Sequence, residues 1–247
     1  MKKILTLAAT LMVIGASASM ASGLYLNWDD CSAASGGAGV QQKTFACNLN
    51  TGAGFALYTS VAVPTTMPKF TATSAIVDVA VDAPTLPDWW LTNAGQCRPN
   101  AVTMSFDPVV LALSCPNIWA DGILLSVFAA QQGTNGPNKV RLNGGAAIPA
   151  GSEITVNADG TELLVSKVNI SRTKSTGTGS CAGCNLGACL VLNECFLQQP
   201  AGMGDYRVTN AATPGSNFVT WQGGVAQCPL PTPAQNRTWG AVKNLYR

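Results

Sequence analysis

Glycine and proline punctuation constrains this chain more than any other feature. The 25 glycines and 14 prolines cut it into short stretches, and the residues between them favour strands. In 75–82, Ala75, Val77, Val79 and Val81 fall on one face and Asp78 and Asp82 on the other, with Ile76 and Ala80. This period-two alternation predicts a half-buried antiparallel strand. Strands are also expected at 24–28, 43–47, 55–63, 101–106, 109–114, 139–142, 153–156, 162–170, 190–197 and 218–221. Residues 154–165 read as a hairpin turning at Asp159-Gly160. For 122–131, strand and short helix both stay open, because β-branched residues are few. No long amphipathic stretch supplies the helices of a doubly wound fold. The expected fold is all-β: an antiparallel β-sandwich, with a β-barrel as runner-up.

The first residues predict export. Met1-Lys2-Lys3 is a basic start, 4–14 is apolar, and small residues fill 15–22. That order is a signal peptide over 1–21, with Ser19 and Ala21 at the −3 and −1 positions and cleavage before Ser22. Ala16 and Ala18 offer an earlier site. The apolar run falls short of the ~20 residues a membrane span needs, and no later segment comes closer. Cys31 follows Trp28-Asp29-Asp30 rather than the apolar run, so no lipid anchor is expected. The chain has 14 basic and 12 acidic residues, and Lys2 and Lys3 leave with the leader, so the mature protein is formally neutral. Neutrality argues against a nucleic-acid partner and against electrostatic attachment to a membrane. The expected location is the periplasm, the cell surface or the medium.

Cysteine usage fits that compartment, because thiols oxidise there. All nine are disulfide candidates: Cys31, Cys47, Cys97, Cys115, Cys181, Cys184, Cys189, Cys195 and Cys228. An odd count leaves at least one outside an internal bridge. Proximity along the chain suggests Cys31–Cys47 and Cys97–Cys115. Cys181, Cys184, Cys189 and Cys195 lie close enough to hold zinc, or to present a redox Cys181/Cys184 pair. Zinc ligands, however, arrive as two spaced knuckles, and a redox pair needs a helix start where Gly187 and the strand-like 190–192 stand. Structural bridges are expected, with no metal and no cofactor.

Histidine is absent, which removes Ser-His-Asp and Cys-His nucleophile systems. Ser171 and Lys174 have the spacing of a Ser-Lys pair but lack its companion motifs. An enzyme here would use carboxylates, as glycosidases do; the candidates are Asp29, Asp30, Asp88, Asp107, Asp121, Glu162, Glu194 and Asp205. Most stand beside turn-forming residues, where Asp bends and caps backbone, so no catalytic set is assigned. Asn157 to Gly160 lacks the alternating acids of a calcium loop. Trp89, Trp90, Trp119 and Trp221, with Asp88 and Gln222 beside them, could form a sugar-binding face: indole rings stack on a sugar while polar neighbours meet its hydroxyls. The competing role for these rings is core packing.

Residues 22–228 are expected to form one disulfide-bearing domain. Then Pro229, Pro231 and Pro233 make a stiff linker, and Trp239, Val242, Leu245 and Tyr246 recur at helical spacing after Thr238, a short helical tail. The Pro-rich stretch and the ending TWGAVKNLYR resemble the tails of uncharacterised exported proteins from several environmental bacterial lineages. GLYLNWDDC, LPDWW and TWQGG are similar to the same group, over most of the mature chain. The resemblance implies export and no known activity. The leading expectation is an exported non-enzymatic module of the cell envelope or medium. It is structural, or binds a surface polysaccharide or another envelope protein, and its tail is open to sorting or attachment machinery. The alternatives are a carboxylate-dependent glycan-active enzyme and a thiol-disulfide protein using Cys181 and Cys184.

Overall fold

The computed structural model describes residues 22–119 and 122–229. Its strands in chain order are β1 (Gly23–Trp28), β2 (Gln42–Lys43), β3 (Phe55–Ala62), β4 (Met67–Phe70), β5 (Ala72–Val81) and β6 (Val102–Ser105). There follow β7 (Leu125–Gln132), β8 (Lys139–Ala147), β9 (Ile154–Val156), β10 (Leu163–Ile170), β11 (Ala188–Gln198), β12 (Tyr206–Val208) and β13 (Phe218–Trp221). Short 3-10 turns at Ala33–Ser35 and Asp88–Trp90 are the helical elements among the described residues.

Two sheets carry the fold. One has four strands in the order β1-β3-β10-β6; the other has seven, β2-β13-β11-β5-β8-β7 with β12 beside β11. Pairing is antiparallel apart from β2 with β13. The alternation expected in β5 is present, and Ala75, Val77, Val79 and Val81 face one core with Leu24, Leu26, Leu57, Val168 and Ile170 of the smaller sheet. The two sheets therefore pack face to face, as in a sandwich. One side is stitched by backbone bonds. Trp28 and Val40 exchange hydrogen bonds of 2.9 and 3.2 Å, and the next carbonyl, Gln41, accepts from Thr220 of β13 at 2.8 Å. The opposite edges, β6 and β7, do not pair, so the barrel alternative does not apply.

Several local expectations need correction. The Asp159-Gly160 turn exists, but β9 pairs with β4 while β10 pairs with β3 and β6. The turn thus hands the chain between sheets and makes no hairpin. Residues 109–114 form turns, and the strand expected at 43–47 is only Gln42–Lys43. Of the two readings of residues 122–131, the strand holds, as β7 from Leu125 to Gln132. The helical tail lies outside the described residues.

The two sheets differ on their outer faces. β1 is buried at every position and β3 at nearly every one, because loops cover the outside of the smaller sheet. β8 alternates half-buried and buried throughout, so the outside of the larger sheet is open.

Candidate functional site

The four tryptophans proposed for a sugar face are all interior: Trp89, Trp119 and Trp221 are fully buried and Trp90 nearly so. Trp221 is the hub, its ring 5.7 Å from Trp90, 6.0 Å from Trp89 and 4.5 Å from Phe45. Its Nε1 donates to the Cys184 carbonyl at 2.8 Å, and Trp119 Nε1 donates to Val165 O at 2.7 Å. Gln222 bonds the backbone of Phe45 through both ends of its amide. Asp88 is exposed at the start of its 3-10 turn. Trp89, Trp90, Trp221 and Gln222 close one end of the core, Trp119 packs separately against Phe70 and Phe106, and none of the rings faces solvent. Arg98 completes the plug: its guanidinium lies 3.2 Å from the Trp89 ring centroid and donates to the carbonyls of Thr173, Trp89 and Ser171. Burial pushes its pKa down to about 9, so it keeps its proton at neutral pH.

The candidate carboxylates are mostly committed to backbone or to ion pairs. Asp29 pairs with Lys43, and Glu194 with Arg207. Asp107 accepts from Val109 N, and Asp205 from Gln199 N. Asp88 has no such partner among the described residues, and Asp121 lies outside them. Asp30 and Glu162 are buried and act as clamps. Asp30 accepts from the backbone of Cys31, Ala38 and Ser114 and from the Ser114 hydroxyl at 2.6 Å. Burial alone would raise its pKa; those bonds, led by the Ser114 hydroxyl, outweigh it and hold the carboxyl below its usual range. Glu162 accepts from the hydroxyls of Ser32 and Ser60. Tyr25 lies near it, its phenol pushed up by burial and then by the Glu162 charge. Together the clamps fold the 30–38 loop back over the outside of the smaller sheet.

That clamp corrects the disulfide expectations. Cys31 bridges Cys115, not Cys47, and Cys97 bridges Cys181, not Cys115. The loop after β1 does not close on itself; Asp30 holds it against Ser114, beside Cys115. Cys47 bridges Cys184 and Cys189 bridges Cys228. Cys181 and Cys184 each bond a distant partner, so they are no redox pair, and Cys195 is free and buried within β11. Among the described residues no cluster of acids and cysteines is placed to hold a metal ion.

What remains for recognition is the outside of the seven-stranded sheet. Because paired residues share a face, Asp78, Arg141, Asn143 and Gln131 project outward together on β5, β8 and β7. Arg141 grips Asp78 through two bonds of 2.8 Å. Asn193, set out by a bulge in β11, donates to the same carboxylate at 2.9 Å, and Asn135 at 3.2 Å. The hydrogen bond to Asp78 pushes the Arg141 pKa up, so the guanidinium stays charged. Farther along, Arg207 pairs with Glu194 and lies 4.4 Å from the Phe196 ring centroid. At the far end, Ala72, Ser74, Leu125, Val127, Gly145 and Ala147 line a groove of about 270 Å³. A second cleft of similar size, lined by Tyr25, Asn27, Ser32 and Gln41, lies beside β1. Neither of these clefts contains a carboxylate in its lining, whereas a third, of about 260 Å³ beside β9, includes Asp159. The signal for the open face was the polar side of β5, legible as Asp78; its partners on β8 and β11 were not.

No family model matches the chain, and no curated protein does. Among solved structures, a cohesin module from Clostridium perfringens ATCC13124 family 33 glycoside hydrolase aligns over 81% of this chain and 96% of its own, at 11% identity and a TM-score of 0.37. A likeness that slight carries no inference about fold or function, and the architecture above rests on strand pairing and core contacts alone. The four disulfides favour an oxidising compartment. Among the described residues no helix is long and apolar enough to cross a membrane.

Proposed function

We propose that the chain is an exported, non-catalytic module that holds a hydroxyl-rich surface polymer on the outer face of its seven-stranded sheet. One observation carries the proposal: loops and clamps cover most of the smaller sheet, while the larger sheet keeps a fixed polar array facing outward. Asp78, Arg141, Asn143 and Asn193 offer donors and acceptors on rigid strands, and strand-borne groups are held better than loop-borne ones. The array balances acid with base, which suits a neutral polymer better than a polyanion. The non-catalytic part is supported by the clamping roles of Asp30 and Glu162 and by the absence of histidine.

Affinity electrophoresis of the exported protein through cell-wall and capsular polysaccharides tests this. Arg141→Ala and Asn193→Ala should weaken retention by about tenfold each, the loss of one or two hydrogen bonds, without changing polymer length. Retention unchanged in both variants would refute the face. Polymer shortening that disappears in Asp88→Asn would establish the glycan-active alternative instead.

A further inference from the structure

At the far end of the same outer face lies a feature that the polar array does not include. Among the described residues β7 pairs with β8 alone, and its eight residues, Leu125–Gln132, include neither a charge nor a proline. Long free edges normally carry such residues to prevent unwanted pairing. The other edges of the two main sheets are short or covered: β2 has 2 residues, β12 has 3 and β6 has 4, and β1 is covered by residues 210–216. Leu124, Leu125 and Val127 are 62–69% exposed, and the last two wall the apolar groove described above. No charged side chain lines that groove.

We infer that this groove is covered by the chain's own C-terminal segment, residues 238–247, with Trp239 as the anchor. Three facts select this occupant. The first is reach. The described chain ends at Pro229, next to Cys228, which is bridged to Cys189 on β11. Cys189 lies level with Ala80 of β5 and the groove with Ala72, so the two are eight residues apart along β5 and three strands apart across the sheet. At ~3.3 Å per residue and ~4.8 Å per strand that diagonal is about 30 Å. Trp239 is ten residues beyond Pro229, and an extended chain with prolines covers about 31–33 Å in that length. The second is chemistry. Trp239, Val242, Leu245 and Tyr246 form one apolar stripe at helical spacing, and a stripe this short must dock to persist. The third is area. Three exposed apolar side chains fall well below the ~1,200 Å² that stable association of separate molecules needs. A tethered segment works at an effective concentration of about millimolar, so a small groove suffices for it and not for a second copy.

Tryptophan quenching by acrylamide reads the segment directly. The chain has six tryptophans, and Trp28, Trp89, Trp90, Trp119 and Trp221 are buried, so a quenchable fraction in the folded protein reports Trp239. The full chain, expressed into an oxidising compartment, should show almost no quenchable fraction, equally at low and high protein concentration. Val127→Asp and Leu125→Asp, both at exposed positions, should expose one tryptophan. Trp239→Phe should remove that signal from each variant. A tryptophan already accessible in the unaltered chain would overturn the inference and leave the tail free for an external receptor. Protection only at high concentration would overturn it in favour of a second copy, and protection indifferent to both substitutions would place the docking elsewhere. The diagonal passes over Asp78 and Asn143, so releasing the segment in Val127→Asp should raise polymer retention, whereas Arg141→Ala should lower retention and leave Trp239 protected, which separates this inference from the proposed function.

Discussion

Asp30 shows how one buried carboxylate can decide a local fold. Four hydrogen bonds fix it to the chain on either side of the Cys31–Cys115 bridge, and they favour its ionised form. Its pKa is lower folded than unfolded, so the unfolded chain binds more protons around pH 4. By linkage, its contribution is fully present above the unfolded value of ~3.9 and is lost as pH falls through the lower folded value. Asp30→Asn should therefore be less stable than the parent at pH 7, and the gap should close as pH falls below about 4. Urea unfolding of both proteins across pH 3–7 measures this; a gap independent of pH would mean that Asp30 acts by shape and not by charge. Little of this was legible beforehand. Asp30 stood out only as an acid among turn-forming neighbours, whereas the groups it binds at Ala38 and Ser114 come together through folding.

Elements and their connections account for most of the errors in reading this chain. Strands with clean alternation, β5 above all, were recoverable because burial on one face imposes a period on the sequence. The doubly buried β1 and β3 lose that period, and β7 blurs it because its outer face carries the apolar Leu125 and Val127 while Phe128 and Ala130 meet the core. Pairing was less legible still: 154–165 looked like a hairpin, since local turn chemistry carries no record of which sheet each arm joins. Disulfides fail for the same reason. The four bridges span 39 to 137 residues, so proximity in sequence is a poor guide to proximity in space. Non-reducing peptide mapping should recover Cys31–Cys115, Cys47–Cys184, Cys97–Cys181 and Cys189–Cys228. Alkylation should label one thiol, Cys195, and only after denaturation, because its complete burial pushes the thiol pKa far up. Replacing Cys31 and Cys115 by Ser should cost about 2–5 kcal/mol. A native protein that alkylates readily, or a Cys181–Cys184 peptide in the map, would contradict this arrangement.

The whole molecule closes on itself late. β1, the first strand, is completed by some of the last described residues: Leu24 N donates to Asn210 O at 2.9 Å and Leu26 N to Ser216 O at 2.8 Å. Trp28 Nε1 reaches Thr220 O at 3.0 Å. Contacts of such long sequence separation slow folding, and an N-terminal fragment would lack the partners of its own first strand. This suits a chain threaded across a membrane before it folds, as the expected leader over 1–21 requires. The junction is tight. Gly23, one residue past the expected cleavage point, has φ +148°, and a Cβ there would come within 2.5 Å of Ala212 N. Three outcomes follow at this scale. Exported protein should begin at Ser22 by intact mass. Gly23→Val should lower Tm by several degrees, since both the backbone and its neighbour must shift. A chain starting at Asp29 should not fold, whereas one ending at Pro229 should keep a cooperative unfolding transition. If the chain lacking β1 folded and the one lacking 230–247 did not, the C-terminal segment would belong to the core structure, and its role as a cover over a finished sandwich would be wrong.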